Sequence, residues 1–354
     1  MTFRGSTPPS RVGRLLAFVL LCGAAVAGSA LYVSRARTTA ATTVSAVTRI
    51  QVSDPQRLAV IRRGDHLLFR DMTAGPSYGA LAFASLGDDG ARVSTGLPCS
   101  RVHASSDRAI CLSVERRPAI RYRAYLLEDL DHQPEVIRAL DLPGLPSRAR
   151  VSRDGRLAAY TVFVSGDSYL SQGFSTRTRL LDLTSGREIG DLEGRTVTRD
   201  GARFQAVDFN FWGVTFAVDA TQFFATLGSG GRQFLVEGAP ASPSLTVVAE
   251  GIECPSLSPD GRRIAFKHTR EGSSPPHWQP AILELSTKQV TILPETRSVD
   301  DQIEWLDNDR VTYGLRGPQS VQPRRADIWQ LPADGHGGPT ILVPDAESPS
   351  VVRR

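Results

Sequence analysis

The sequence predicts an all-β protein: a six-bladed β-propeller with four-stranded antiparallel blades, preceded by one N-terminal transmembrane helix. Three observations predict the propeller. A turn built on Asp, at its clearest Ser-x-Asp-Gly, recurs between short apolar runs. The recurrences lie about one blade apart. The runs themselves alternate apolar and polar residues with a period of two.

The N-terminus comes first. Leu15 to Val33 is an uncharged run of about 19 residues, long enough to cross a bilayer core of about 30 Å as a helix. Arg4, Arg11 and Arg14 precede it, while Arg35 and Arg37 follow, which favours an N-in, C-out orientation. Residues 1–14 are then a cytoplasmic tail and 15–33 a signal anchor holding the chain to the cytoplasmic membrane. A second reading is a signal peptide cut after "AVA" or "GSA", which releases a secreted protein. A lipoprotein fits less well, because Cys22 follows two leucines where a small residue is required. Residues 34–49, small and polar, read as a flexible tether. The expected compartment of everything after it is extracytoplasmic.

The propeller fills residues 50–350. Turns centre near Asp65, Asp107, Asp154, Asp219, Asp260 and Asp309, with gaps of about 42, 47, 65, 41 and 49 residues. A blade of four short strands needs roughly 40–50 residues. Ser258-Pro259-Asp260-Gly261 suits a type I turn, with Pro presetting φ and Gly re-entering the strand at positive φ. Ser152-Arg153-Asp154-Gly155 lacks only the proline, and the other four are degenerate. The fifth unit supplies "ECPSLS", "RRIAFKH", "PAILELS" and "QVTILP"; the sixth supplies "DQIEWLD", "RVTYGLR", "DIWQLPA" and "PTILVP". In "RVTYGLR", Val311, Tyr313 and Leu315 alternate with polar residues and glycine, as in a strand with one buried face. No helical stripe appears beyond the membrane segment. The long third gap holds Glu193 to Phe211, an added hairpin turning at Arg199-Asp200-Gly201 between blades three and four.

Cys99 and Cys111 lie equidistant from Ser105. A hairpin folded there sets them opposite each other, close enough for a disulfide in an oxidising compartment. The alternative is two buried reduced thiols. Cys254 is left over and reads as a packed small apolar residue or, less simply, a free reactive thiol.

At "CPSLSPDGRRIAFK" the repeat resembles that of TolB-type six-bladed β-propellers. The stretches "DFNFWGVTFA", "ETRSVDDQIEWL" and "LVPDAESPSVVR" are similar to those of membrane-anchored TolB-like proteins of GC-rich bacteria. The resemblance covers about residues 50–354. It implies a periplasmic propeller that binds protein partners at one face of its disc, with no catalytic residues to carry over. The namesake's separate N-terminal α/β domain is absent, and the anchor stands in its place.

Composition narrows the function. The chain has 354 residues, a net charge of +4 and 22% charged residues. No stretch has the Lys and Arg density of a nucleic-acid footprint. The basic residues are almost all Arg, with Lys267 and Lys288 the only lysines, a bias expected of a GC-rich genome. The six histidines are scattered, and no Cys-x-x-Cys, Gly-x-Ser-x-Gly or phosphate loop occurs, so no zinc site, hydrolase motif or nucleotide site is expected. No cofactor is implied.

Acidic residues are the better lead. Asp300 and Asp301 precede the innermost strand of the last blade, and Asp208 and Asn210 precede that of the fourth. Since innermost strands line the channel, the four are expected to converge at one mouth and hold a calcium ion or a cationic ligand. The bland alternative is that they cap strand ends. Phe209, Phe211, Trp212 and Trp305 read as packing between blades. Trp278, in "SSPPHWQP", reads as an exposed loop residue open to a partner. Arg116-Arg117 and Arg324-Arg325 read as solvated loop charges. The expected function is an extracytoplasmic, membrane-tethered scaffold for protein interaction with an unknown partner or for sensing. The rivals are a hydrolase or lyase using channel-mouth carboxylates and a small-molecule or sugar binder.

Overall fold

The computed structural model describes residues 20–23, 48–87, 92–105, 107–116, 119–130, 133–164, 175–317 and 325–354. The chain divides into two compact units, Met1–Val44 and Ser45–Arg354. Of the first, only residues 20–23 are described, and they are helical. The rest of the expected membrane span at 15–33 lies outside the described residues, among which no helix is long and apolar enough to cross a membrane.

In the second unit the described strands form six sheets, antiparallel except where one added strand joins in parallel, and these are the blades. The innermost strands are Ala346–Val352, Arg101–Ser105, Leu145–Val151, Asn210–Phe216, Glu253–Leu257 and Glu304–Trp305. Each touches the next around a closed ring. Hydrophobic clusters fill the wedges between and within blades, with Phe69, Phe83, Phe211, Phe223, Phe266 and Trp305 fully buried.

Blade one is closed by both ends of the chain. Its innermost strand is the C-terminal Ala346–Val352, paired antiparallel to His66–Asp71, with Val352 opposite His66 and Ala346 opposite Asp71. The expected turn at Asp65 is therefore not a hairpin. Asp65 instead accepts a hydrogen bond from the Arg354 amide at 2.9 Å, doing across the chain ends what the other turns do locally.

The two clean turns share one bonding scheme, which explains the motif. Ser258 Oγ donates to Asp260 Oδ1 at 2.5 Å and accepts from the Arg263 amide at 3.0 Å, while Asp260 Oδ1 also accepts from the Arg262 amide. Ser152, Asp154, Arg156 and Leu157 repeat it bond for bond. Ser and Asp bond to local backbone here more readily than other residues. The glycine of each turn has φ near +70° (+73° at Gly261, +69° at Gly155). In the degenerate fourth turn Ala220 takes that place, at φ +57°.

Three expectations change in detail. Pro55–Ile61 is a helix, capped by Asp54 accepting from the Arg57 amide and burying Leu58 and Ile61. Seven residues are too few to show a helical stripe in sequence. Thr48–Arg49, the expected end of the tether, is a strand on the outer edge of blade two, and Val52 bridges to Thr95 of blade one. The extra hairpin forms as expected, Thr196–Arg199 with Ala202–Phe204. It attaches in parallel to the outer strand Ser244–Glu250, so blade four has six strands.

Cys99 and Cys111 form a disulfide with a Cα–Cα distance of 5.6 Å. The register that led to it is wrong, however. Cys111 lies opposite Val102, and Ser105 opposite Arg108. Cys99 sits outside the ladder, just after the outer strand Arg92–Pro98 of blade one. The bridge therefore staples blade one to the second strand of blade two.

Two measurements check this architecture. Deleting residues 346–354 removes the innermost strand of blade one, and the truncated chain is expected to lose its cooperative urea transition. The Cys99→Ser, Cys111→Ser double variant keeps that transition, with stability lower by about 2–4 kcal/mol.

Candidate functional site

The ring has two mouths. At the end where the innermost strands finish, a cavity of about 250 Å³ lies over His103, Arg150, Glu304, Ser258 and Arg353. At the end where they start, a cavity of about 490 Å³ is lined by Arg70, Arg101, Arg116, Arg148, Lys267 and Arg316, with Glu253, Asp300, Trp212, Trp278, Leu145 and Phe163. The second cavity is the candidate site.

Its charges come from strand periodicity. Arg148 and Arg150 stand two apart in "SRARV", so the pleat turns both to one face. Arg148 points to the starting mouth and ion-pairs with Asp300 at 2.9 Å, and Arg150 meets Glu304 nearer the other end. Arg101 opens the innermost strand of blade two and pairs with Asp301 at 2.6 Å. Lys267, only 2% exposed, lies between Glu253 at 2.8 Å and Asp300 at 2.9 Å. Arg70 and Arg316 both grip Glu347, which is buried on the closing strand.

Two glycines make room. A Cβ on Gly314 would stand 2.6 Å from Asp301 Oδ2, which accepts from the Gly314 amide at 2.8 Å. Gly213, at φ +65° beside a register shift in its strand, lets Cys254 pack with its Cα 2.7 Å from the missing Cβ. Cys254 Sγ in turn accepts from Arg148 Nε at 3.4 Å. Cys254 is thus a buried packing residue, held under the floor of the mouth.

Asp300, Glu347 and Glu304 are held in their ionised forms. Desolvation of the side of Asp300 that faces the floor pushes its pKa up, but Lys267 and Arg148 outweigh it and hold its carboxyl well below the usual range. Burial likewise opposes ionisation of Glu347 and Glu304. Arg316 and Arg101 bring the first down to about 2, and Arg150 and His103 do the same for the second. For Arg101 the largest influence is burial, which lowers its pKa; Asp301 opposes it, while the neighbouring charges of Arg148 and Arg316 add to the lowering. Like charges thus crowd one half-buried space.

The residues named from sequence separate. Asp300 and Asp301 are at the mouth. Asp208 and Asn210 line a different cavity of about 560 Å³, between blades three and four and beside the extra hairpin. There Asp208 accepts from Ser229 Oγ at 2.7 Å and the Gly230 amide at 2.6 Å, and Asn210 Oδ1 accepts from the Thr176 amide at 2.8 Å. Both cap strand ends and turns. Among the described residues no three His, Cys, Asp or Glu gather as a metal-binding group, and the mouth's carboxylates face Arg and Lys. Trp278 is not on an exposed loop. It opens the strand Trp278–Glu284, donates from Nε1 to Glu253 at 2.8 Å and presents its ring to Lys267 Nζ at 4.3 Å. Phe211 and Trp305 are buried between blades as expected, whereas Trp212 lines the mouth. Arg116 lines it too, and Arg325 is exposed; Arg117 and Arg324 lie outside the described residues. Arg101, Arg148, Lys267 and Arg316 were not singled out from sequence. The available signal was a cation inside an otherwise apolar strand, as in "RIAFKH".

Solved structures with a similar fold include TolB from Acinetobacter baumannii, 20% identical over 82% of this chain and 67% of that one, with a TM-score of 0.54. The fold is TolB-like. A chain of the nidogen/laminin complex (8% identity, 82% of this chain and 98% of that one, TM-score 0.49) is also similar. So is a putative 6-phosphogluconolactonase from Bacteroides uniformis (15% identity, 78% and 81%, TM-score 0.46). No family model matches the sequence, and no curated protein is significantly similar to it. The likeness to TolB is one of architecture.

Glu304 and Glu347 set the acid limit of this TolB-like propeller. Their folded pKa values of about 2 lie below the ordinary 4.5, so each stabilises the fold fully above pH 4.5. That stability is lost as pH falls from 4.5 toward 2. Urea midpoints taken across that range are expected to drop steadily. Glu304→Ala leaves Arg150 buried without its carboxylate and is expected to cost about 3–5 kcal/mol at neutral pH. Its stability then falls less steeply with acid.

Proposed function

We propose that the chain is a non-catalytic binding module, tethered outside the cytoplasmic membrane, that receives an anionic group of its partner at the starting mouth of the channel. One observation carries the reading. Arg101, Arg148, Lys267 and Arg316 converge on one cavity of about 490 Å³, within the size range of ligand pockets. Partly desolvated cations attract an anion more strongly than surface charges do. Asp300 and Glu347 are held ionised at neutral pH, which suits them to fixing those cations and poorly to donating protons. The tethering is supported by the uncharged run at 15–33, and the location by the Cys99–Cys111 disulfide, a bond that persists in oxidising compartments.

The test is capture of partners from membranes by the full-length chain after cross-linking. A partner that binds stoichiometrically is expected to be lost on Arg116→Glu or Trp278→Ala. It should be kept on Ile292→Ser or Ile341→Ser, which change exposed apolar residues of outer strands. Retention by both mouth variants, with loss on the outer-edge pair, overturns the reading.

A further inference from the structure

Asp300 and Asp301 are neighbours with different attachments. Asp301 is held on two sides, by Arg101 Nη1 and by the Gly314 amide, and its side chain is 4% exposed. Asp300 is held on one side only. Its Oδ1 accepts from Arg148 Nη2 and from Lys267 Nζ, each at 2.9 Å, and its side chain is 60% exposed. The two cations are the opposite, with side chains 10% and 2% exposed. A mostly solvated carboxylate thus covers two buried cations at the floor of a cavity. With Asp301 fixing the backbone beside it, a rotation of the Asp300 side chain would take its carboxylate off both cations. Arg148 would then face the cavity with no carboxylate on Nη2, and Lys267 would keep only Glu253.

The wall beside this place is apolar. Leu145 and Phe163 stand opposite each other on blade three and remain partly exposed, and the Trp278 ring lies over Lys267. We propose that the mouth binds a carboxylate joined to an aromatic or apolar group, seated on Arg148 and Lys267 in the place Asp300 fills, with the hydrocarbon against Leu145, Phe163 and Trp278. Asp300 is then a tethered competitor that sets the affinity. The proposal rests on the reading of the mouth as an anion-receiving site and names the anion.

The probe is benzoate, titrated into the full-length protein and followed by tryptophan fluorescence, since Trp278 and Trp212 line the cavity. Benzoate should saturate the signal, benzamide should not bind, and acetate should bind at least tenfold more weakly. Asp300→Asn is expected to tighten benzoate about tenfold or more. Leu145→Ala is expected to weaken benzoate several-fold and leave acetate unchanged. Equal binding of benzamide, or no tightening in folded Asp300→Asn, overturns the proposal. If Asp300→Asn does not fold, the wild-type and Leu145→Ala titrations decide: saturable, carboxylate-dependent and Leu145-dependent binding supports it, and anything else overturns it. Acetyl-Gly-Phe and its amide separate the sources. Binding of the free acid well above benzoate points to a peptide terminus, and binding no better than benzoate to a small acid. If no carboxylate binds while partner capture still depends on Arg116 and Trp278, this proposal fails alone. If capture is also independent of them, the reading of the mouth fails with it.

Discussion

The structure depends on the closing of the ring by one strand. Ala346–Val352 is buried along its whole length and hydrogen-bonds to His66–Asp71. Its side chains also reach the next blade: Ser348 Oγ accepts from the Val102 amide at 3.1 Å, and Ser350 Oγ from the Ala104 amide at 2.8 Å. Without this strand the edge of His66–Asp71 would present unpaired backbone, the kind of edge that sheet proteins otherwise have to cover. Similar bonds recur round the circle, from the Leu257 amide to Thr215 Oγ1 between innermost strands and from the Cys254 amide to Thr226 Oγ1 on the second strand of blade four. Innermost strands of adjacent blades are therefore joined by hydroxyl groups as well as by packing, and the ring closes to one diameter.

That diameter explains the charge pattern of the channel. Six strands this close bring side chains from opposite blades within reach, so a charge on one needs an answer on another. Arg101 of blade two answers Asp301 before blade six, Arg148 of blade three answers Asp300, and Arg150 answers Glu304. His103 joins the last pair. The Val151 amide donates to its Nδ1 at 3.1 Å, and its Nε2 stands 3.0 Å from Arg150 Nη1 and 3.4 Å from Glu304. Burial lowers the pKa of this histidine, although Glu304 opposes the shift, and it bridges the blades as a neutral ring. Removing one member of such a set strands the other as a buried charge, which costs more than the pair contributes. The pairs tie blade six to blades two and three across the channel, and the apolar wedges supply most of the burial.

Local chemistry was legible in the sequence, and pairing across the ring was not. Ser258, Asp260 and Gly261 act on residues within five positions, so their spacing carries the turn, and the repeat of the turn carries the blade count. The disulfide was found through a hairpin centred on Ser105. The true hairpin pairs Ser105 with Arg108, and Cys99 reaches Cys111 from outside the ladder. A reach of that kind has no period to betray it. Asp300 and Asp208 occupy equivalent places in the repeat, which is why they were read alike. Yet the residues opposite them differ, Arg148 and Lys267 in one case and a Ser229-Gly230 turn in the other. A repeat predicts position in a blade, whereas the partners come from other blades for Asp300 and from a turn of its own blade for Asp208.

Lys267 shows how a single residue type can carry that information. The chain uses arginine almost everywhere, and a planar guanidinium suits two oxygens lying in its plane. At 267 the demands do not lie in a plane. Glu253, on an innermost strand, and Asp300, in the segment that precedes Glu304–Trp305, approach at 2.8 and 2.9 Å, and the Trp278 ring covers a third side at 4.3 Å. An ammonium with three rotatable protons can meet two carboxylates and still present charge to a ring face. Trp278 Nε1 completes the set by donating to the same Glu253 carboxylate. The lysine therefore ties three elements of the mouth together through one compact charge. Its exchange for arginine, conservative by charge, would separate the floor of the cavity from its aromatic wall.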